Sequence, residues 1–499
     1  MSADRFRRPT RPESRAWARR FAGMIVFMLI LFAALYALFD RYAPNRPVDL
    51  ADDREHFLYG SIGSDVENGL PVRILTILPQ MFPEYLPAGA PHDYTAFGFI
   101  REPDRDLPIG FSTRRRIIDL TGLNCAVCHT GSVRVSVDAE PMIIPAMPAN
   151  TVDLLAFFEF LFNCAGDWRF TTEKVLEAMD AQAPLSRFDR ELYSLVIPQM
   201  QSRLLARKEK LAFLLDPEHP DFGPGRVDTF NTFKVDQFAE EYYGYEFPSG
   251  ELIGTVDFPS VWNQAARDGL QLHWDGNNSS VRERNFSAAL GAGATRENVD
   301  IPRLFRVEEW LAHLDAPAYP FEINETLLDR GEALFMQYCH RCHDFAGADV
   351  GTVVPLDEIQ TDEHRLNSYT RKFLHVQQAY TRGYEWEFTH FTKTDGYANL
   401  PLDGIWARAP YLHNGSVPTM WDMLRPAEQR PPSFYRGNDV YSAAKMGFES
   451  EASSANGRKF FLFDTSKSGN SNRGHSEPEY GTELSDSERW ALIEFLKTL

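Results

Sequence analysis

Two cysteine pairs of the same form constrain this chain more than anything else in it: Cys125-Ala-Val-Cys128-His129 and Cys339-His-Arg-Cys342-His343. The C-x-x-C-H spacing suits covalent attachment of a c-type haem. Each cysteine adds to a haem vinyl group, and the histidine that follows reaches the iron as proximal ligand. Zinc sites also use cysteine pairs, but zinc ligation does not call for a histidine directly after both. A thioredoxin-like motif calls for a βαβ pattern, which neither box has around it. Two covalently bound haem c groups are therefore expected, one on Cys125, Cys128 and His129, the other on Cys339, Cys342 and His343. The fifth cysteine, Cys164, lies in an apolar stretch, residues 154–164 (LLAFFEFLFNC), and reads as a buried thiol.

Residues 21–39 (FAGMIVFMLILFAALYALF) hold no charge. As a helix they span roughly 28 Å, close to the hydrocarbon thickness of a bilayer. Residues 1–20 carry seven arginines against Asp4 and Glu13, so the positive-inside rule puts the N-terminus in the cytoplasm. A cleaved signal peptide is the rival; its apolar region is normally shorter, and Leu38-Phe39 is no small-residue cleavage site. The expectation is a single-pass inner (plasma) membrane protein with its haem domains in the periplasm, where c-type haem is attached.

The net charge is −19 in 499 residues, and the exported part is more acidic still. That argues against nucleic acid as a partner and suits a redox partner such as a basic cytochrome or small electron carrier. Residues 324–338 (NETLLDRGEALFMQY) form an amphipathic pattern running into the second box. Residues 485–499 (SDSERWALIEFLKTL) start with a Ser485/Glu488 capping signature and continue as an apolar stripe. Such first and last helices cover the haem in cytochrome c folds. The fold class is accordingly mainly α: two cytochrome c-like haem domains with long loops, preceded by one N-terminal transmembrane helix. The divisions are 1–45 (tail and anchor), 46–315 (N-terminal haem domain) and 316–499 (C-terminal cytochrome c domain), with Pro317 and Pro320 at the join. Helices are expected near 151–165, 172–181 and 199–215.

Residues 107–111 (LPIGF), 123–131 (LNCAVCHTG), 401–419 (PLDGIWARAPYLHNGSVPT), 433–437 (SFYRG) and Gly474-His475 before the last helix together resemble the bacterial di-haem cytochrome c peroxidase superfamily. Within it they are most similar to the branch that contains the haem-dependent rubber oxygenase. The resemblance implies unequal haems, one hexacoordinate and relaying electrons, the other with an open position for peroxide or dioxygen.

For the second haem the resemblance implies His475 as sixth ligand opposite His343, with Met420 and Met423 as rivals. For the first it implies an open face opposite His129; Met142 and Met147, in the Pro-rich segment PMIIPAMP, are the alternative sixth ligands. Residues 257–278 (DFPSVWNQAARDGLQLHWDGNN) are the best source of a distal pocket, with Trp262, His273 and Trp274 beside Asn277, and His273 is a further axial candidate. Phe286 is a weaker pocket candidate, and His413 a candidate for a propionate contact or an interdomain role. Calcium, known between the domains of the peroxidases, finds no acidic cage with ligand spacing. The expected activity is peroxidase-type, peroxide reduction at the first haem; dioxygen-dependent cleavage of an unsaturated or aromatic organic substrate and simple electron carriage are the alternatives.

Overall fold

A computed structural model describes residues 11–42, 45–238 and 251–499. Residues 1–10 of the arginine-rich tail lie outside the described residues. The helix Arg11–Tyr42 contains a 20-residue stretch, Arg19–Leu38, that is long and apolar enough to cross a membrane, and none of it is buried. A membrane span and an export signal both have this form.

The helices that follow begin where side-chain caps supply acceptors for free N–H groups. Asp153 caps Leu154–Gly166, Thr171 caps Thr172–Gln182, and Ser186 caps Arg187–Lys210. The last of these starts before the expected residue 199. Pro198 sits inside it, and the Ser186 cap starts the helix further upstream. The three helices pack around an apolar cluster that includes Phe157, Phe160, Leu161, Cys164, Met179 and Ile197. Cys164 is a fully buried free thiol there, and burial pushes its pKa up.

Short antiparallel strands link the helices, and they correct the expectation of plain loops. Met142–Pro145 pairs with Thr130–Val133, directly after the first box, in the register Thr130 to Pro145. The PMIIPAMP segment therefore folds back on the box as a strand, because its branched residues fit a half-buried pleat. Val353–Pro355 pairs with Gly396–Ala398, and Ser433–Arg436 with Phe461–Asp464.

In the C-terminal part, Leu328–Tyr338 crosses the final helix Asp486–Leu496. The crossing is close because Gly331 has no side chain: a Cβ there would lie 2.1 Å from the carbonyl oxygen of Ala491. Phe335 and Phe495 pack beside it with ring centroids 5.2 Å apart. The final helix carries the full capping box of Ser485 and Glu488. One apolar cluster takes in Phe57, Leu58 and Val307 as well as Phe335, Leu492 and Ile493, so packing continues across the expected boundary at 315/316.

Candidate functional site

The first box is a single 3-10 turn, Cys125–Val127, capped by Asn124, whose side chain accepts from the N–H of Ala126 at 3.0 Å. Asn124 also donates to the carbonyl of Gly60 at 2.9 Å, tying the turn to the preceding chain. His129 Nδ1 lies 2.8 Å from the carbonyl oxygen of Pro259. The carbonyl selects the tautomer with the proton on Nδ1, and Nε2 keeps its lone pair. Burial pushes the His129 pKa down to about 4, so the ring is neutral and fit to ligate.

The second box repeats this design on a different scaffold. The turn His340–His343 follows helix Leu328–Tyr338, and His343 Nδ1 lies 2.8 Å from the carbonyl oxygen of Leu400. Leu402 N–H donates back to the His343 carbonyl at 3.1 Å. Burial lowers the His343 pKa too.

Across from His343 stands His475, with ring centroids 6.1 Å apart and planes at 42°. Two imidazoles sharing one metal at roughly 2 Å each put their ring centres about 6 Å apart, so this pair fits a metal between them. The loop is built to hold that position. His475 N–H donates to Ile359, Arg430 donates to the His475 carbonyl at 2.9 Å, and the ring stacks on Tyr480 at 4.4 Å. Gly474 and His475 both have positive φ, 78° and 46°. A Cβ on Gly474 would lie 2.4 Å from the backbone nitrogen of Thr361, so only glycine passes.

Both boxes open into one cavity of about 980 Å³. Cys125, Cys128, Cys339 and Cys342 all line it, with His129, His343 and His475. The four thiols are unpaired. Free cysteine pairs, Nδ1-anchored histidines and a shared cavity are what covalent haem needs, so the residues present fit the group.

The other candidates divide. His273 and Trp274 line the cavity. His273 adopts a positive φ of 63° and its Nδ1 pairs with Asn277 Oδ1; burial pushes its pKa down to about 4. Trp274 Nε1 donates to the Asp257 carbonyl at 2.9 Å. Trp262 is a correction: it is 1% exposed, off the cavity wall, and donates to the Asp403 carbonyl at 3.2 Å. It joins the core because Gly404 leaves room for its ring, 2.7 Å from where a Cβ would stand. Phe286 is another correction, since it stacks on Trp386 at 4.9 Å within an aromatic cluster. Met142 and Met147 do not line the cavity, and Met147 is fully buried in the core. Met420 and Met423 reach the wall, yet His475 holds the place opposite His343. His413 lines the cavity and stacks on Tyr397 at 4.1 Å, with Nε2 3.1 Å from the tyrosine hydroxyl. Among the described residues no cluster of three or more His, Cys, Asp or Glu side chains is placed to hold a metal ion.

Sequence reading missed the buried ion pairs of the walls. Arg267 and Arg408 share Asp403, Arg365 pairs with Asp275, and Arg436 pairs with Asp257. No spacing rule links these partners. Tyr480, five positions after His475, was open to inference from nearness alone.

Residues 396–436, the stretch that supplies Leu400, Leu402 and His413, match the family model described as RoxA-like, cytochrome c-like. Two proteins of Sinorhizobium fredii (strain NBRC 101917 / NGR234) are similar to the chain. "Uncharacterized protein y4iM" is 31% identical over 288 residues, covering 49% of this chain and 64% of that protein. "Uncharacterized protein y4iJ" is 26% identical over 545 residues, covering 83% of this chain and 86% of its own length. The alignment thus spans less than two thirds of the first relative. These matches support a RoxA-related, cytochrome c-like domain in this chain, and such a domain implies covalently bound haem c.

Proposed function

We propose that the chain is a membrane-anchored di-haem c-type cytochrome acting as an oxidoreductase, with its two haem domains in the periplasm. In this reading Cys339, Cys342, His343 and His475 would hold one haem, supplying electron relay. Cys125, Cys128 and His129 would hold the other, supplying reaction with a small ligand. The asymmetry of the two boxes carries the proposal. His343 has a second imidazole at metal-sharing distance, and His129 has none among the described residues. Haem c supplies an iron that exchanges one electron and, at a free face, takes up a small ligand.

The chain's own residues then set the chemistry. Pro259 and Leu400 orient the proximal imidazoles. His273, tied to Asn277 through Nδ1, keeps Nε2 free to hold or pass a proton. Phe157, Phe158, Leu161, Phe162, Phe230 and Phe233 are among the apolar residues that line the same cavity, and such a lining suits an apolar organic molecule. This lining favours dioxygen-dependent oxidation of an unsaturated or aromatic substrate. Peroxide reduction is the second reading, favoured by the His273–Asn277 pair. The acidic exported part suits a basic cytochrome or small carrier as redox partner.

The test is spectroscopic and then chemical. The protein lacking residues 1–42, exported with haem attached, is examined by electron paramagnetic resonance and by carbon monoxide titration after reduction. One low-spin haem and one haem that binds carbon monoxide are expected, with oxygen uptake on adding apolar unsaturated compounds. Two low-spin haems that ignore carbon monoxide and peroxide leave a tethered electron carrier instead.

A further inference from the structure

Six arginines line the cavity: Arg207, Arg267, Arg284, Arg341, Arg365 and Arg408. Five are paired, with Asp236, Asp403, Asp349, Asp275 and Asp403 respectively. Arg284 is the exception among the described residues. Its Nη2 is shut off from solvent and has no hydrogen-bond partner. Glu308 and Asp268 are the carboxylates that act on it, neither of them in an ion pair with it, and Glu308 keeps a buried Oε2 without a partner. Glu308 pairs with Arg282 at 2.9 Å, and Asp268 accepts from the N–H of Val281 at 3.0 Å.

Desolvation lowers the Arg284 pKa only to about 10, so the side chain stays cationic at neutral pH. Arg284 is half-buried, and a cation in such a wall with no carboxylate in direct contact favours a matching anion. The position has a direction as well. Arg284, Ala288 and Gly291 lie at i, i+4 and i+7 on helix Val281–Gly291, and all three face the cavity. Ala288 and Gly291 are exposed on that face, and outside the helix's own backbone and the adjacent residues nothing lies within 4 Å of where a Cβ on Gly291 would stand. Arg284 lines the same cavity as Cys125, His129 and His273, and its charge bears on all three.

We propose that Arg284 is the anion-binding residue of the cavity, its guanidinium taking a carboxylate beside the first box. Two carboxylates fit that chemistry: a propionate of the haem on Cys125 and Cys128, or the carboxylate of a free ligand entering the cavity. A planar fork of N–H donors matches either one in a two-pronged geometry. The inference rests on the first box carrying haem.

The full-length holoprotein in detergent is compared with R284Q and R284K. A pyridine haemochrome count comes first: one haem per unaltered chain, traced to the second box, removes the underlying reading rather than this proposal. With two haems, the midpoint potential of the first haem is followed from pH 6 to 8, and formate is titrated against its ferric spectrum. A propionate partner predicts that R284Q lowers the midpoint and makes it steeper in pH, with formate affinity unchanged. A free-carboxylate site predicts at least tenfold weaker formate binding with the midpoint profile unchanged. A haem-loaded R284Q that equals the parent in midpoint, pH slope and formate affinity overturns the proposal. Should R284Q not load haem, R284K decides: threefold weaker formate binding or an altered pH slope supports the proposal, and identity with the parent in both overturns it.

Discussion

The rings of His343 and His475 face each other at 6.1 Å although one ends a helix-borne turn and the other sits in a loop before the last helix. Neither is held by its own segment alone. Leu400 orients His343, while Ile359, Arg430 and Tyr480 hold His475.

From that relationship follows the first prediction. His475→Ala opens the second haem, turning a low-spin signal high-spin in electron paramagnetic resonance and adding a second carbon monoxide site on reduction. His129→Ala leaves the low-spin signal of the second haem unchanged. An unaltered low-spin spectrum in the His475 variant rejects the assignment.

Haem attachment is checked by counting. A pyridine haemochrome assay is expected to give two haems per chain, and Cys339→Ala one. Two haems retained after that substitution contradict attachment at the second box.

The helix crossing makes a stability prediction. Gly331→Ala drives a methyl group into the Ala491 carbonyl and Phe495, and overpacking of this kind costs about 1–3 kcal/mol. Denaturant unfolding followed at the Soret band measures it. A shift within about 0.5 kcal/mol of zero means that the helices slide apart freely.

A titratable pair gives a pH dependence. The hydrogen bond that His364 donates to the Asp362 carboxylate raises the His364 pKa above its ordinary value, outweighing burial. The stabilisation from protonated His364 is therefore complete below about pH 6.5 and is lost as pH rises through the higher folded value. His364→Gln is expected to destabilise the protein at pH 5.5 and to leave it nearly unchanged at pH 9. The difference is about 1 kcal/mol or less because the site is partly exposed. An equal loss at both pH values assigns His364 a packing role.

Removing residues 1–42 behind a cleavable export signal is expected to move the haem-loaded protein from the membrane fraction to the soluble one. A native protein already soluble and starting near residue 40 identifies the apolar helix as an export signal.

What could be read from the chain by itself was local. The C-x-x-C-H spacing specifies covalent attachment because both thiols and the histidine lie within five residues, whatever surrounds them. The Ser485 cap sets the start of the last helix through a bond to the residue three positions on, and the uncharged run after residue 20 is as plain; the Ser186 cap went unread, and with it the true start of Arg187–Lys210. His475 came from family position, and its distance from His343 came only with the fold. Tertiary structure alone decided that Trp262 and Phe286 turn into the core while His273 and Trp274 meet the cavity, and that Arg284 has no carboxylate in direct contact. Each of these depends on which distant segment packs against the residue, as Gly404 does against Trp262 and Trp386 against Phe286. Aromatic and charged side chains have the same local character whether they face a core, a cavity or water; only the packing of segments far apart in the chain chooses among these.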